Sequence, residues 1–230
     1  MAWWKPRMEG KLLRKLIKVH GIDELVAKHG FFALKRTMAV RVHENVLQVI
    51  CFEVTSSGFR CKIAMQPLYI SSAYVHLSFG NELTSFRTAL PRNWGYGGES
   101  TTKVELNLAK YLIEKNVLPW FEEYGSPKGL IEFIQSGKAD GMEYVVVYRP
   151  MLRKELLGYS LLYEKRYTEA YEPLNQARQQ AGDRDIEWIH QYKHNLDTLL
   201  RHIDHKEHAE IDQILQDNIA YTRSQLRLPE

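Results

Sequence analysis

The hydrophobic period of this chain changes twice, and those changes restrict its possible folds more than any other feature. From about residue 9 to 27, apolar residues recur at helical spacing. Leu12, Leu13, Leu16, Ile17 and Val19 share one face, continued by Leu25 and Val26, while Lys11, Arg14, Lys15 and Lys18 point elsewhere. Gly21 predicts a break in this helix, with Asp23 as a cap. From Gly30 the period becomes two. Met38, Val40 and Val42 alternate with Thr37, Ala39, Arg41 and His43; after the turn "HEN", residues 46–54 are apolar on both faces, as a central strand requires. After "SSG", Phe59, Cys61, Ile63 and Met65 alternate with Arg60, Lys62, Ala64 and Gln66. Beyond Pro67, Val75, Leu77 and Phe79 alternate with Tyr74, His76 and Ser78. The short connections predict a four-stranded antiparallel meander with one buried face.

The second change comes after the Gly- and Pro-rich loop "PRNWGYGGES" at 91–100. Thr102 and Glu105 are spaced as a capping box for a helix that Pro119 interrupts. Ser126-Pro127 predicts the cap and first-turn proline of a short helix ending near Gly137. "YVVVY" at 144–148 fits either a strand or a buried helical turn. From Met151 onward the pattern is helical throughout, with Asp204 and Glu207 spaced as another capping box. Strands grouped first and helices grouped afterwards predict an α+β fold. We divide it at 9–148 for the sheet domain and 149–230 for the helical region, which can form one continuous globule.

Within the helical region, "LGYSLLYEKRYTEAYEPLNQARQQAG" predicts an αα-hairpin over 151–182. Gly158 and Ala170 let two antiparallel helices approach, and Leu174 fills the seam. The spacing is similar to one tetratricopeptide repeat, although Lys154 stands where that repeat has a large aromatic and Gly182 where it has proline. No second copy follows at a fixed period. The expected cover for the hairpin is the C-terminal helices at 183–227, where Ile186, Ile189, Tyr192, Leu196, Leu199, Leu200 and Ile203 recur at helical spacing. Ile211, Ile214, Leu215 and Ile219 extend this stripe and suggest a homo-oligomer through the tail.

The order of "HGFFALKRTMAVRV", "VLQVICFEVTSSGFRCKIAMQPLYI", "VHLSFG", "NWGYGG" and "VLPWFEEYGS" resembles the bacterial domain of unknown function family 4304 over about residues 9–180. The most telling pieces are the Gly-Phe before the first strand, the "QVI" strand and Pro119-Trp120-Phe121. The resemblance implies an α+β domain and, by association with related small domains beside toxin systems, an immunity or binding role. It implies no catalytic motif.

Composition narrows the function classes. With 44% hydrophobic and 26% charged residues, the chain can build a normal core. No apolar run approaches the roughly 20 residues of a membrane span. The first residues lack a signal-peptide pattern, so the expected location is cytoplasmic, and Cys51 and Cys61 are expected as free, buried thiols. Residues 1–36 hold nine Lys/Arg against three acids, whereas the whole chain has 31 against 28, so the basic excess is concentrated at the start.

Candidate chemistry is sparse. His190, His194 and Asp197 lie at i, i+4 and i+7 and could face one way to hold a divalent cation; Lys193, Arg201 and Lys206 oppose this. Arg41, His43, Arg60, Lys62 and His76, with Tyr74, are candidates for a nucleic-acid or anion surface on the polar side of the meander. "GYGGES" precedes a helix but lacks the Gly-Lys-Ser/Thr ending of a phosphate loop. Glu53, in an otherwise apolar strand, is expected to pair with a lysine or arginine. No catalytic set and no cofactor is indicated. The reading is a non-catalytic, immunity- or regulator-like module for an unknown protein partner; the alternatives are an RNA- or anion-binding sheet and an enzyme of unrecognised type.

Overall fold

A computed structural model describes residues 8–35, 37–86, 94–95, 98–141, 151–182 and 185–229. The chain divides into two compact units. The first comprises residues 1–42, 47–65 and 80–123, and the second 43–46, 66–79 and 124–230. A single cut at 148 does not describe this division, because two segments of the meander group with the helices.

In the first unit, α1 (Gly10–Val19) and α2 (Ile22–Lys28) meet at the expected break, where Gly21 has φ +65°. That left-handed backbone favours glycine. Asp23 is not the cap, however: Gly21 holds that position, and Asp23 pairs with Arg14 of α1 at 2.8 Å. Leu13, Leu16 and Ile17 are buried, but Val19 is 68% exposed. It lies roughly 100° round the helix from the centre of the Leu13–Ile17 face.

The sheet holds β1 (Phe32–Lys35), β2 (Met38–His43), β3 (Val46–Val54), β4 (Gly58–Pro67) and β5 (Gly80–Glu82) in that order, with β6 (Trp94–Gly95) also on β4. The α+β class and its antiparallel meander are as expected, and β3 is buried along most of its length. The strand expected at 74–79 is not formed. Its place on the β4 edge is taken by β5, paired Lys62 with Glu82 and Ala64 with Gly80. Gly80 is required there, since a Cβ would stand 1.9 Å from the Ile63 carbonyl oxygen.

After the sheet, α3 (Glu99–Leu112) starts at Gly98, not at Thr102, whose hydroxyl instead donates to the Gly98 carbonyl at 2.9 Å. The expected capping box is therefore absent, because the helix begins one turn earlier. A wide π turn over Ile113–Val117 joins α3 to α4 (Leu118–Tyr124). Pro119 cannot donate to the α-ladder and would crowd the carbonyl four residues back, and the π turn is the local remedy.

The second unit explains why residues 74–76 are not a strand. The Gln66 side chain donates to the Tyr74 carbonyl at 3.1 Å and accepts from the His76 N–H at 2.7 Å. Ser72 Oγ donates to the Tyr74 carbonyl at 2.8 Å. These side chains satisfy backbone groups that a ladder would otherwise use. The β2–β3 turn has left-handed Glu44 and Asn45 (φ 46° and 60°), as a two-residue hairpin demands.

Among the described residues, the α-helices of this unit are α5 (Pro127–Gln135), α6 (Leu152–Tyr163), α7 (Tyr167–Gln180), α8 (Glu187–Asp204) and α9 (His208–Leu226). As expected, Ser126 caps α5 by accepting the Gly129 N–H at 3.1 Å. The segment 144–148 lies outside the described residues. Asp204 and Glu207 do not form a box: Asp204 ends α8, and Glu207 takes a bond from His202 Nδ1 at 2.6 Å across a left-handed Lys206.

The α6–α7 hairpin closes as its small residues predict. Ala170, Leu174 and Ala177 are fully buried, and a Cβ on Gly158 would lie 2.5 Å from the Leu174 side chain. Its cover comes from its own unit. α5 and α9 pack on α6, and α8 packs on α7. Ile189, Leu196, Leu199 and Ile203 are buried as expected, and so are Ile211, Leu215 and Ile219, while Ile186 is 38% exposed. The tail stripe proposed for oligomerisation is thus occupied mainly within the chain.

Candidate functional site

Strand pleating decides what the basic candidates can do together. Along β3, Gln48 and Phe52 point to one face and Glu53 to the other. Arg41 Nε donates to Gln48 Oε1 at 2.8 Å, Nη1 to the His29 carbonyl at 3.0 Å and Nη2 to Glu122 at 2.6 Å. Its guanidinium also lies 4.9 Å from the Phe31 ring centroid. Arg60 reaches Glu53 at 2.7 Å, and Lys62 reaches the same carboxylate at 3.2 Å. Arg41 therefore lies on the opposite sheet face from Arg60 and Lys62. All three have carboxylate partners, which weakens their combined pull on a phosphate backbone.

The remaining three candidates belong to the second unit. His43 is exposed and lies 3.7 Å from Glu44. Tyr74 is 74% exposed on the loop braced by Gln66 and Ser72, and His76 follows it. Within the first unit, Arg41 thus does not share the polar sheet face expected for it with Arg60 and Lys62.

His190, His194 and Asp197 lie on α8, and two of them have other partners. His190 Nε2 sits 2.8 Å from Asp185, and Asp197 is held by Arg178 of the neighbouring α7. The His194 carbonyl accepts from Thr198. His208 stacks on Tyr167 with ring centroids 4.0 Å apart. Among the described residues no group of three His, Cys, Asp or Glu side chains is placed to hold a metal ion.

Glu53 behaves as its strand position predicts, neutralised by Arg60 and Lys62. Nearby, Cys51 and Cys61 are free and buried. Burial, reinforced by the Glu53 carboxylate, pushes the Cys51 thiol from its ordinary 9.0 to about 11; burial raises Cys61 well above that ordinary value. Neither is a nucleophile at neutral pH, because the thiolate is the reactive form. In "GYGGES", Tyr96 and Gly97 lie outside the described residues, as do Trp3 and Trp4 at the basic start.

Two features of the first unit were not singled out from sequence. On α3, Val104, Asn107 and Tyr111 line one stripe, and His20 Nδ1 lies 3.2 Å from Asn107 Oδ1. The contact joins the end of α1 to α3, and Val19 on α1 and Val104 and Tyr111 on α3 are 68%, 69% and 54% exposed. Lys18 and Lys103 on the same two helices are exposed, and Lys110 Nζ reaches toward Gly21. The i, i+3, i+7 spacing on α3 was available, but its exposure depends on what packs beneath it. The second is a cavity of about 230 Å³ under α1 and α2 against the sheet.

No known protein family, curated protein or solved structure matches this chain. Among the described residues, no helix is long and apolar enough to cross a membrane.

Proposed function

We propose that this chain is a non-catalytic protein-binding module whose docking surface is the α1–α3 patch of the first unit. The observation that carries the reading is the exposure of Val19 on α1 and of Val104 and Tyr111 on α3, two helices joined by the His20–Asn107 contact. Large apolar side chains grouped at a surface are characteristic of interaction sites. Lys11, Lys15 and Lys18 on α1 and Lys103 on α3 are exposed, so the same two helices carry basic side chains. Apolar and basic side chains on one pair of helices fit a partner whose own apolar contact is accompanied by carboxylates. The resemblance to the domain of unknown function family 4304 adds an immunity- or regulator-like role in the cytoplasm.

A photo-cross-linking amino acid at position 104, with a control at Gln213, tests this in the native cell. The expected result is one identified protein captured from position 104 alone. Its purified form then binds the chain, and Val104→Glu weakens binding at least tenfold without lowering the melting temperature. Equal capture from both positions, or unchanged binding by Val104→Glu, removes the reading. Retention on heparin abolished by Lys15→Glu/Lys18→Glu, with no protein captured, would favour a nucleic-acid or anion surface instead.

A further inference from the structure

We infer that the cavity beneath α1 and α2 binds a zwitterionic α-amino acid with a large apolar side chain. Its walls come from Ile17, Ile22, Val26, Ile50 and Phe52, so its interior favours an apolar body. At about 230 Å³ it falls below the roughly 300–1,000 Å³ of drug-sized pockets, and a single amino-acid side chain suits it.

Among the described lining residues, the charged side chains are Arg14 and Asp23, and Thr37 adds a hydroxyl. Arg14 from α1 and Asp23 from α2 both line the cavity and meet at 2.8 Å through Nη1 and Oδ1. Their side chains are 37% and 32% exposed, so the pair is open to water. This contact occupies one Arg14 N–H and one Asp23 oxygen. A guanidinium has further donors in the same plane, and a carboxylate has a second oxygen. A lone carboxylate ligand would meet repulsion from Asp23, and a lone amine would meet repulsion from Arg14. A zwitterion satisfies both, its carboxylate on the spare Arg14 donors and its ammonium on the spare Asp23 oxygen. The left-handed Gly21 turns the chain so that the two helices present these groups together.

This inference is independent of the proposed docking surface, because it is read on the purified chain alone. Isothermal titration with L-phenylalanine and L-leucine should show one saturable site. 3-Phenylpropionate, phenethylamine and glycine, each lacking one of the three features, should bind at least tenfold more weakly. Arg14→Gln and Asp23→Asn should each reduce L-phenylalanine binding at least tenfold while preserving the circular dichroism spectrum and melting temperature. Ala39→Phe, which fills the cavity from β2, should abolish binding. The inference fails if neither amino acid binds at millimolar concentration. It also fails if the acid or the amine binds as tightly as the zwitterion, or if Ala39→Phe leaves binding unchanged.

Discussion

Gly158 shows how much one missing methyl can decide. Its hydrogen leaves room for Leu174, which a Cβ would meet at 2.5 Å. Gly158→Ala should therefore cost about 1–3 kcal/mol by overpacking, despite the better helix propensity of alanine. Urea unfolding measures it, and the double variant with Leu174→Ala should show strong non-additivity, because the second change removes the clash. Full additivity would mean that the two helices do not meet at this point. The thiols give a second residue-level expectation. Folding raises the proton affinity of Cys51, so its contribution to stability is complete below the ordinary value of 9.0. It is lost as pH rises toward about 11. Cys61 acts in the same direction. Melting temperature should thus fall between pH 9 and 11, and Cys51→Ser/Cys61→Ser should flatten that fall. Native-state labelling by a thiol reagent at pH 7 should be slow and should accelerate on unfolding.

At the scale of elements, local chemistry was legible where it was self-contained. Ser126-Pro127 is a complete instruction, with a side-chain acceptor followed by a residue that needs no N–H partner. Ser126→Ala should lower stability by about 1 kcal/mol, read from thermal or urea melts; an unchanged melt would mean that the cap is replaced by water at no cost. The capping boxes at 102–105 and 204–207 had the right letters and the wrong partners. Thr102 turned back to Gly98, and Glu207 engaged His202. The strand pattern at 74–79 failed for a related reason, since Gln66 and Ser72 engage the Tyr74 carbonyl and the Tyr74 and His76 N–H groups that a neighbouring strand would need. The apolar run of β3 was buried on both faces as read, but the alternation of β4 held only over Phe59–Ile63, because Ala64 and Gln66 on its expected polar face are buried too. Alternation did not reveal that Arg41 lies opposite Arg60 and Lys62, because that depends on how β2 registers against β3.

At the scale of the molecule, the chain passes repeatedly between its two units. The helical unit draws on residues far upstream of its helices. Tyr69 OH lies 2.8 Å from Ser160 Oγ, and the Tyr69 ring stacks on Tyr163 at 4.7 Å. The Ser72 N–H donates to Thr222 at 3.1 Å, and Phe79 packs edge-on against Phe133. Residues 149–230 expressed alone should therefore give a poorly cooperative melt and bind a dye for exposed apolar surface, as an incompletely packed chain does. A sharp two-state transition from that fragment would overturn this.

The order of residues by itself determined the class of the fold, the central strand, the helical hairpin and the cap of α5. Each of those rests on periodicity or on neighbours within one turn. Tertiary structure alone decided which charges met: Arg41 with Glu122 and Asp197 with Arg178 are separated widely along the chain and joined only by packing. It also decided which apolar residues stayed outside, because Val104 and Tyr111 are exposed only by virtue of what their helix rests upon. Short-range pattern encodes the shape of an element, whereas a site is a coincidence of several elements in space.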